Sequence, residues 1–233
     1  MKKNDFKSAI IIPALNEAES IAEVISHIPE SFRELIIVAD NGSSDGTGDI
    51  AKQLGAHVVF ASERGYGSAC LAGIAFAQQF QPNIYIFLDA DYSDHPEDMS
   101  EIVRALLEKN LDLVIGSRTL GGAEPGALLP QARFGNWLAT GLMYLRYGHL
   151  YSDLGPFRTI RAEALYSLDM QDRNFGWTVE MQIKALRQRL HVGEVSVRYR
   201  KRIGVSKITG TLKGTISAGV KILWTIGRYG FLR

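Results

Sequence analysis

Residues 83–98 read NIYIFLDADYSDHPED. The run Ile84, Tyr85, Ile86, Phe87 and Leu88 is continuously apolar and rich in β-branched and aromatic side chains. Such a run suits a strand covered on both faces. Acids follow it at Asp89, Asp91, Asp94, Glu97 and Asp98, and Pro96 then suits the first turn of a helix. A buried strand, an acidic loop and a helix in that order point to an α/β fold with a mainly parallel sheet.

The same alternation extends to either side. Apolar runs at 8–15, 34–40, 57–62 and 111–118 read as further strands, and 16–28, 47–55, 68–80 and 96–110 as the helices between them. In such sheets ligands bind beyond the C-terminal strand ends. That rule places residues 13–17, 40–47 and 89–91, together with Arg118, along one rim.

Asp94, Glu97 and Asp98 read most simply as acids near a helix start, where free amides and the helix dipole favour them. Asp89 and Asp91 stand two apart at the end of the apolar run, where strand alternation aims both the same way. Two adjoining carboxylates repel unless a cation joins them, and a divalent ion with oxygen ligands is the usual solution. An EF-hand is excluded, because its sixth and twelfth positions here hold Asp94 and Ser100 rather than Gly and Glu.

The chain of 233 residues suits one α/β domain with a short appendage. A net charge of +1 gives no global argument for nucleic acid as a partner. The single cysteine, Cys70, lies in an apolar helical pattern and reads as a small core residue in a reducing cytoplasm. The apolar run before Pro13 is too short for a signal peptide, and no stretch is long and apolar enough to cross a membrane.

The second half is less regular. Residues 121–130 form a Gly/Pro-rich loop long enough for a mobile flap. Residues 133–148, RFGNWLATGLMYLRYG, are apolar almost all round apart from their arginines, which suggests burial or contact with lipid. A helix over 177–189 and a strand over 191–202 follow. Residues 195–233 carry nine Lys or Arg and no acid. From about Lys207, one helical face holds Ile208, Leu212, Ile216, Val220 and Leu223, and the other Lys213, Lys221 and Arg228. A helix with one apolar and one basic face lies in a membrane interface, where Trp224, Tyr229 and Phe231 also belong. The boundaries read as a body over 1–206 and a basic amphipathic helix over 207–233.

Eight stretches carry the rest. IIPALNE, VADNGSSDGT, RGYGSACLAG, LDADYSDHPED, GSR, DLGPFR, GWTVEMQIKA and RYRKRIGVSK, in that order, resemble family 2 glycosyltransferases. They are most similar to the dolichol- and polyprenyl-phosphate mannose or glucose synthases. The resemblance covers roughly residues 8–210 and implies the GT-A, Rossmann-like fold. It also implies transfer of a hexose from GDP-mannose or UDP-glucose to a polyprenyl phosphate, with inversion.

By that resemblance Pro13, Leu15, Glu17, Asp40, Asn41, Gly67 and Asp89 would hold the nucleotide, and Asp89 and Asp91 would hold Mg²⁺ or Mn²⁺. Ser93 stands where many members have Gln, so Asp94 or water is an alternative third ligand. A lipid phosphate, with a second pKa near about 6, needs cations rather than a base. Arg118, Arg133, Arg158, Arg202 and Lys207 are available. A hydroxyl acceptor would need a base, and Glu180 is the candidate, so Asp91, Arg118 and Glu180 form the catalytic set to test. The partners implied are a nucleotide sugar, a polyprenyl phosphate, a membrane surface and, for attachment, a separate anchor protein. Alternatives are transfer to a soluble hydroxyl acceptor, a sugar nucleotidyltransferase, or a non-catalytic nucleotide-sugar binder.

Overall fold

The structure, a computed structural model, describes residues 6–204 and 212–230. Among these, seven strands form one sheet: β1 (Ser8–Ala14), β2 (Ile36–Asp40), β3 (His57–Phe60), β4 (Ile84–Phe87), β5 (Leu113–Ser117), β6 (Arg158–Arg161) and β7 (Val192–Ser196), in the order β3-β2-β1-β4-β6-β5-β7. β1 pairs in parallel with β2 and β4, β2 with β3, and β5 with β7. β6 runs antiparallel between β4 and β5, so the sheet is mainly but not wholly parallel.

β4 is apolar at every position and β1 at all but its first, because both faces of the sheet are covered. Ala9, Ile11, Tyr85 and Phe87 point into a cluster with α3 (Tyr66–Ala77), α6 (Pro130–Tyr147), α7 (Ala162–Leu168), α8 (Trp177–Arg187) and α9 (Leu212–Gly230). Their neighbours Ile10, Ile12, Ile84 and Ile86 point the other way, against α1 (Ile21–Ser26), α2 (Thr47–Gln53) and α4 (Met99–Glu108). A short helix α5 (Arg118–Gly121) follows β5 directly. α3 sits close on the sheet because its residues are small: a Cβ on Gly73 would meet Ile11 Cγ2 at 2.7 Å.

Several expectations change. The strand expected to reach Asp91 ends at Phe87, and Asp89 and Asp91 lie in a turn where Tyr92 takes φ +59°. Strand alternation therefore does not orient the two carboxylates. β6 is missing from the sequence reading because RTIR is four residues long and begins and ends on arginine. The strand expected over 191–202 stops at Ser196, after which the chain lies along the acidic turn: Tyr199 bridges Asp94, and the amides of Arg200 and Ile203 donate to Ser93 O and Asp91 O at 2.9 and 3.0 Å. The flap is pinned at its start, since Ala123 bridges Tyr199 and Glu124 N donates to Tyr199 O at 2.9 Å.

Candidate active site

Strand order reverses between β1 and β4, and a cleft of about 320 Å³ opens beyond their C-terminal ends. The end of β1 contributes Pro13, Leu15 and Glu17, the end of β2 Asn41, the loop after β3 Arg64 and Gly65, and the turn after β4 Asp89 and Asp91. Tyr66, Asn174, Phe175 and Arg202 complete the wall.

Asp89 accepts from Tyr66 Oη at 3.0 Å. Burial, together with the charge of Asp91, pushes its carboxyl well above the usual range. Asp91 Oδ1 accepts from Ser93 N at 2.9 Å and from Ser93 Oγ at 2.5 Å, while Oδ2 faces Arg202 at 3.1 Å. Ser93 thus orients Asp91. Arg202 also reaches Glu17 at 3.1 Å, which ties the chain after β7 across the mouth of β1.

Asn41 lines the cleft but is occupied in building it. Its amide donates to Glu63 O at 2.7 Å and Ala61 O at 3.3 Å, and its oxygen accepts from Gly65 N at 2.7 Å. Asp40 lies beside the cleft rather than in it. Its carboxylate accepts from Gly42 N and Ser43 N at 3.1 and 2.8 Å and borders a second hollow with Thr47 and Lys52. Gly67 does not line the cleft either: it is buried beneath the chain at Asp172, whose carbonyl would stand 1.9 Å from an added Cβ.

The remaining predicted residues are dispersed. Glu180 is 0% exposed; its carboxylate accepts from Gln171 N and Asp172 N at 2.9 and 2.6 Å and pairs with Lys184 at 2.7 Å. It holds the loop behind Asn174 and Phe175 and does not face the cleft. Arg118 forms a fork with Asp153, at 2.7 and 2.8 Å, and stacks 5.1 Å from the Tyr199 ring centroid. Arg158 is fully buried and donates to Thr178 O, Leu154 O and Gly155 O, which makes it a brace inside the fold. Arg133 is exposed in the first turn of α6, and Lys207 lies outside the described residues. Asp94 is 1% exposed with no hydrogen-bond partner on either oxygen, and burial and the Asp89 charge push its carboxyl well up. Among the described residues no three His, Cys, Asp or Glu side chains converge to hold an ion, so Asp94 does not complete a set with Asp89 and Asp91.

Sequence reasoning missed Arg64, Tyr66, Asn174 and Phe175. Tyr66 stands inside a quoted motif and could have been found there. Asn174 and Phe175 come from a loop far along the chain with no distinctive spacing.

The family model for glycosyl transferase family 2 matches residues 9–168, from β1 through the acidic turn to α7. The chain belongs to glycosyltransferase family 2. This glycosyltransferase is 36% identical over 211 residues to a glycosyltransferase of Mycobacterium tuberculosis, covering 90% of this chain and 93% of the relative. It is 27% identical over 235 residues to the undecaprenyl-phosphate mannosyltransferase of Micrococcus luteus, covering 96% of each. Among solved structures it resembles glucosyl-3-phosphoglycerate synthase from M. tuberculosis, in complex with Mn²⁺, UDP and glucosyl-3-phosphoglycerate, with a TM-score of 0.79 at 22% identity over 98% of this chain and 81% of that one. That likeness establishes a shared GT-A fold.

Proposed function

We propose that this glycosyltransferase moves a hexose from a nucleotide sugar, GDP-mannose or UDP-glucose, to a polyprenyl phosphate, with inversion. The observation that carries the acceptor choice is the burial of Glu180, 0% exposed and bound to two backbone amides and Lys184. A hydroxyl acceptor needs a base at the reacting oxygen, whereas a phosphate arrives as an anion. The near-full-length likeness to the undecaprenyl-phosphate mannosyltransferase supports the same reading.

All five line the cleft, and in this reading Pro13, Leu15 and Asn41 take the nucleoside and Asp89 and Asp91 the diphosphate. Two carboxylates facing one cleft, one of them with its charge disfavoured by burial and by the other, fit a divalent cation; Asp91 and Asp89 would hold Mg²⁺ or Mn²⁺. When bound, the ion neutralises the diphosphate and stabilises the departing nucleoside diphosphate. Ser93 keeps Asp91 turned toward the cleft. A phosphate oxygen of the acceptor attacks the anomeric carbon; the bond from that carbon to the diphosphate oxygen breaks, and its electron pair leaves with the nucleotide. Arg202, which lines the cleft, supplies positive charge; Arg133 and Lys207 are assigned to the acceptor phosphate, and Arg118 is positioned by Asp153. No described helix is long and apolar enough to cross a membrane. Attachment is assigned to the basic C-terminal stretch, whose described part is α9 (Leu212–Gly230), alone or with a separate anchor protein.

The test is transfer by purified protein with Mg²⁺ or Mn²⁺, labelled GDP-mannose or UDP-glucose, and polyprenyl phosphate in detergent. Label entering the organic phase with one donor, and lost on chelation, is the expected result. Donor hydrolysis with no lipid label would overturn the lipid acceptor.

A further inference from the structure

Tyr66 stands in the wall of the cleft, where it opens α3. The backbone is fixed on both sides of it. Gly65 N donates to Asn41 Oδ1 at 2.7 Å, and Ser68 N and Oγ donate to Arg173 O at 3.0 and 3.2 Å. Held there, the side chain reaches the turn after β4, and its hydroxyl donates to Asp89 Oδ1 at 3.0 Å. Burial and the Asp89 charge push the phenol well above its ordinary value, so it keeps its proton and acts as the donor.

The two acids of the turn are held differently. Asp91 is engaged on both oxygens, by Ser93 on one and Arg202 on the other. Asp89 is engaged on Oδ1 by Tyr66, and among the described residues nothing hydrogen-bonds or ion-pairs with its Oδ2. β4 has already ended at Phe87, so sheet pairing does not orient the Asp89 side chain. Without the phenol, rotation of the carboxylate would offer either oxygen to the cleft. With it, Oδ1 is taken and Oδ2 remains. Partners of this kind, which orient a ligand without touching the ion, set metal affinity nearly as strongly as the ligands do.

We propose that Tyr66 is a positioning residue for the divalent cation: its hydroxyl holds one oxygen of Asp89 so that the other is presented to the ion. This rests on the reading of Asp89 and Asp91 as the residues that hold Mg²⁺ or Mn²⁺, and it is independent of the acceptor. A phenol that merely satisfied a buried acid would add stability and leave cation affinity alone. Because Tyr66 is anchored through Ser68 to Arg173, the loop that carries Asn174 and Phe175 into the cleft also fixes where the hydroxyl stands.

The test uses Tyr66→Phe in the full chain, which removes one oxygen and keeps the ring. Mn²⁺ binding is measured by calorimetry and by the Mn²⁺ spin-resonance signal, with and without GDP or UDP and with no acceptor present. The variant is expected to bind Mn²⁺ more weakly by about ten- to a hundredfold. Its melting temperature and its metal-free nucleotide affinity should stay near native. In transfer, kcat should fall while KM for polyprenyl phosphate does not change. Placed in an Asp89→Asn background, the same substitution should lower Mn²⁺ affinity no further, because the hydroxyl acts through Asp89. Native Mn²⁺ affinity in Tyr66→Phe overturns the proposal, as does an equal loss in the Asp89→Asn background. A variant that fails to fold would make the role structural and overturn it too. No Mn²⁺ binding by the native chain with either nucleotide would remove the ion and the proposal together. A lipid acceptor that fails in the transfer assay leaves these binding results, and the proposal, standing.

Discussion

Asp91 is held on both oxygens, by Ser93 on one and by the Arg202 guanidinium on the other. A cation bound by Asp91 therefore competes with Arg202 for the same carboxylate. Arg202→Gln should tighten Mn²⁺ binding in the absence of nucleotide by about tenfold, ~1.4 kcal/mol, read by calorimetry or by Mn²⁺ spectroscopy, while transfer falls. Unchanged Mn²⁺ affinity would show that the contact has no bearing on the ion. A second residue-scale pair is Arg118 with Asp153, 16% and 1% exposed at the side chain. Burial raises the Asp153 carboxyl, but the Arg118 charge and hydrogen bonds outweigh it and hold it below the usual range. A carboxylate depressed in the folded state contributes stability at neutral pH that is lost as pH falls below its ordinary value of about 4. Asp153→Asn, which strands a buried guanidinium, should cost about 3–5 kcal/mol at pH 7, and the gap from native should narrow in acid. Melting curves between neutral and acid pH check this, and a constant gap would refute it.

At the scale of elements, the loop 171–176 links the C-terminal helix to the cleft. Lys221 of α9 pairs with Asp172 at 2.8 Å, and the other Asp172 oxygen accepts from Asn174 N and Gly176 N at 2.7 and 3.1 Å. Asn174 and Phe175 in turn line the cleft, and Gly67 at the start of α3 lets the loop approach. Lys221→Met should therefore weaken nucleotide binding several-fold, about 1 kcal/mol, although Lys221 is not a cleft residue. Isothermal titration of the nucleotide measures this, and native affinity in the variant would break the link. Within the tail helix, Val220 and Leu223, expected together on one apolar face, are both exposed, and a different face, with Ile222, Thr225, Ile226 and Tyr229, packs on the body.

At the scale of the molecule, the apolar layer on one face of the sheet closes over Cys70 of α3, which is 0% exposed. Burial, with the nearby Asp89 charge, pushes its thiol well up, so it is a poor nucleophile. It should react with a thiol reagent only as fast as the whole fold opens, and nucleotide should slow that reaction in proportion to the stability that binding adds. Rapid labelling of the native protein would mean that α3 is loosely packed.

The sequence by itself determined the layered architecture and the rim where the cleft forms. Continuous apolar runs such as 84–88 can only be strands covered on both faces, and parallel order carries their C-terminal ends to one edge. Local chemistry also marked Asp89 and Asp91, because adjacent carboxylates after a buried strand are costly without a purpose. Tertiary structure alone decided which marked residues face the cleft. Asp40, Gly67, Glu180 and Arg118 are each diverted by a partner: a nearby amide, a carbonyl, a lysine or an aspartate. Two of those partners, Asp172 and Asp153, lie far off in sequence. Arg118 meets Asp153 across 35 positions, and Arg202 meets Glu17 across 185. Spacing along the chain carries no record of contacts that form only when the sheet assembles.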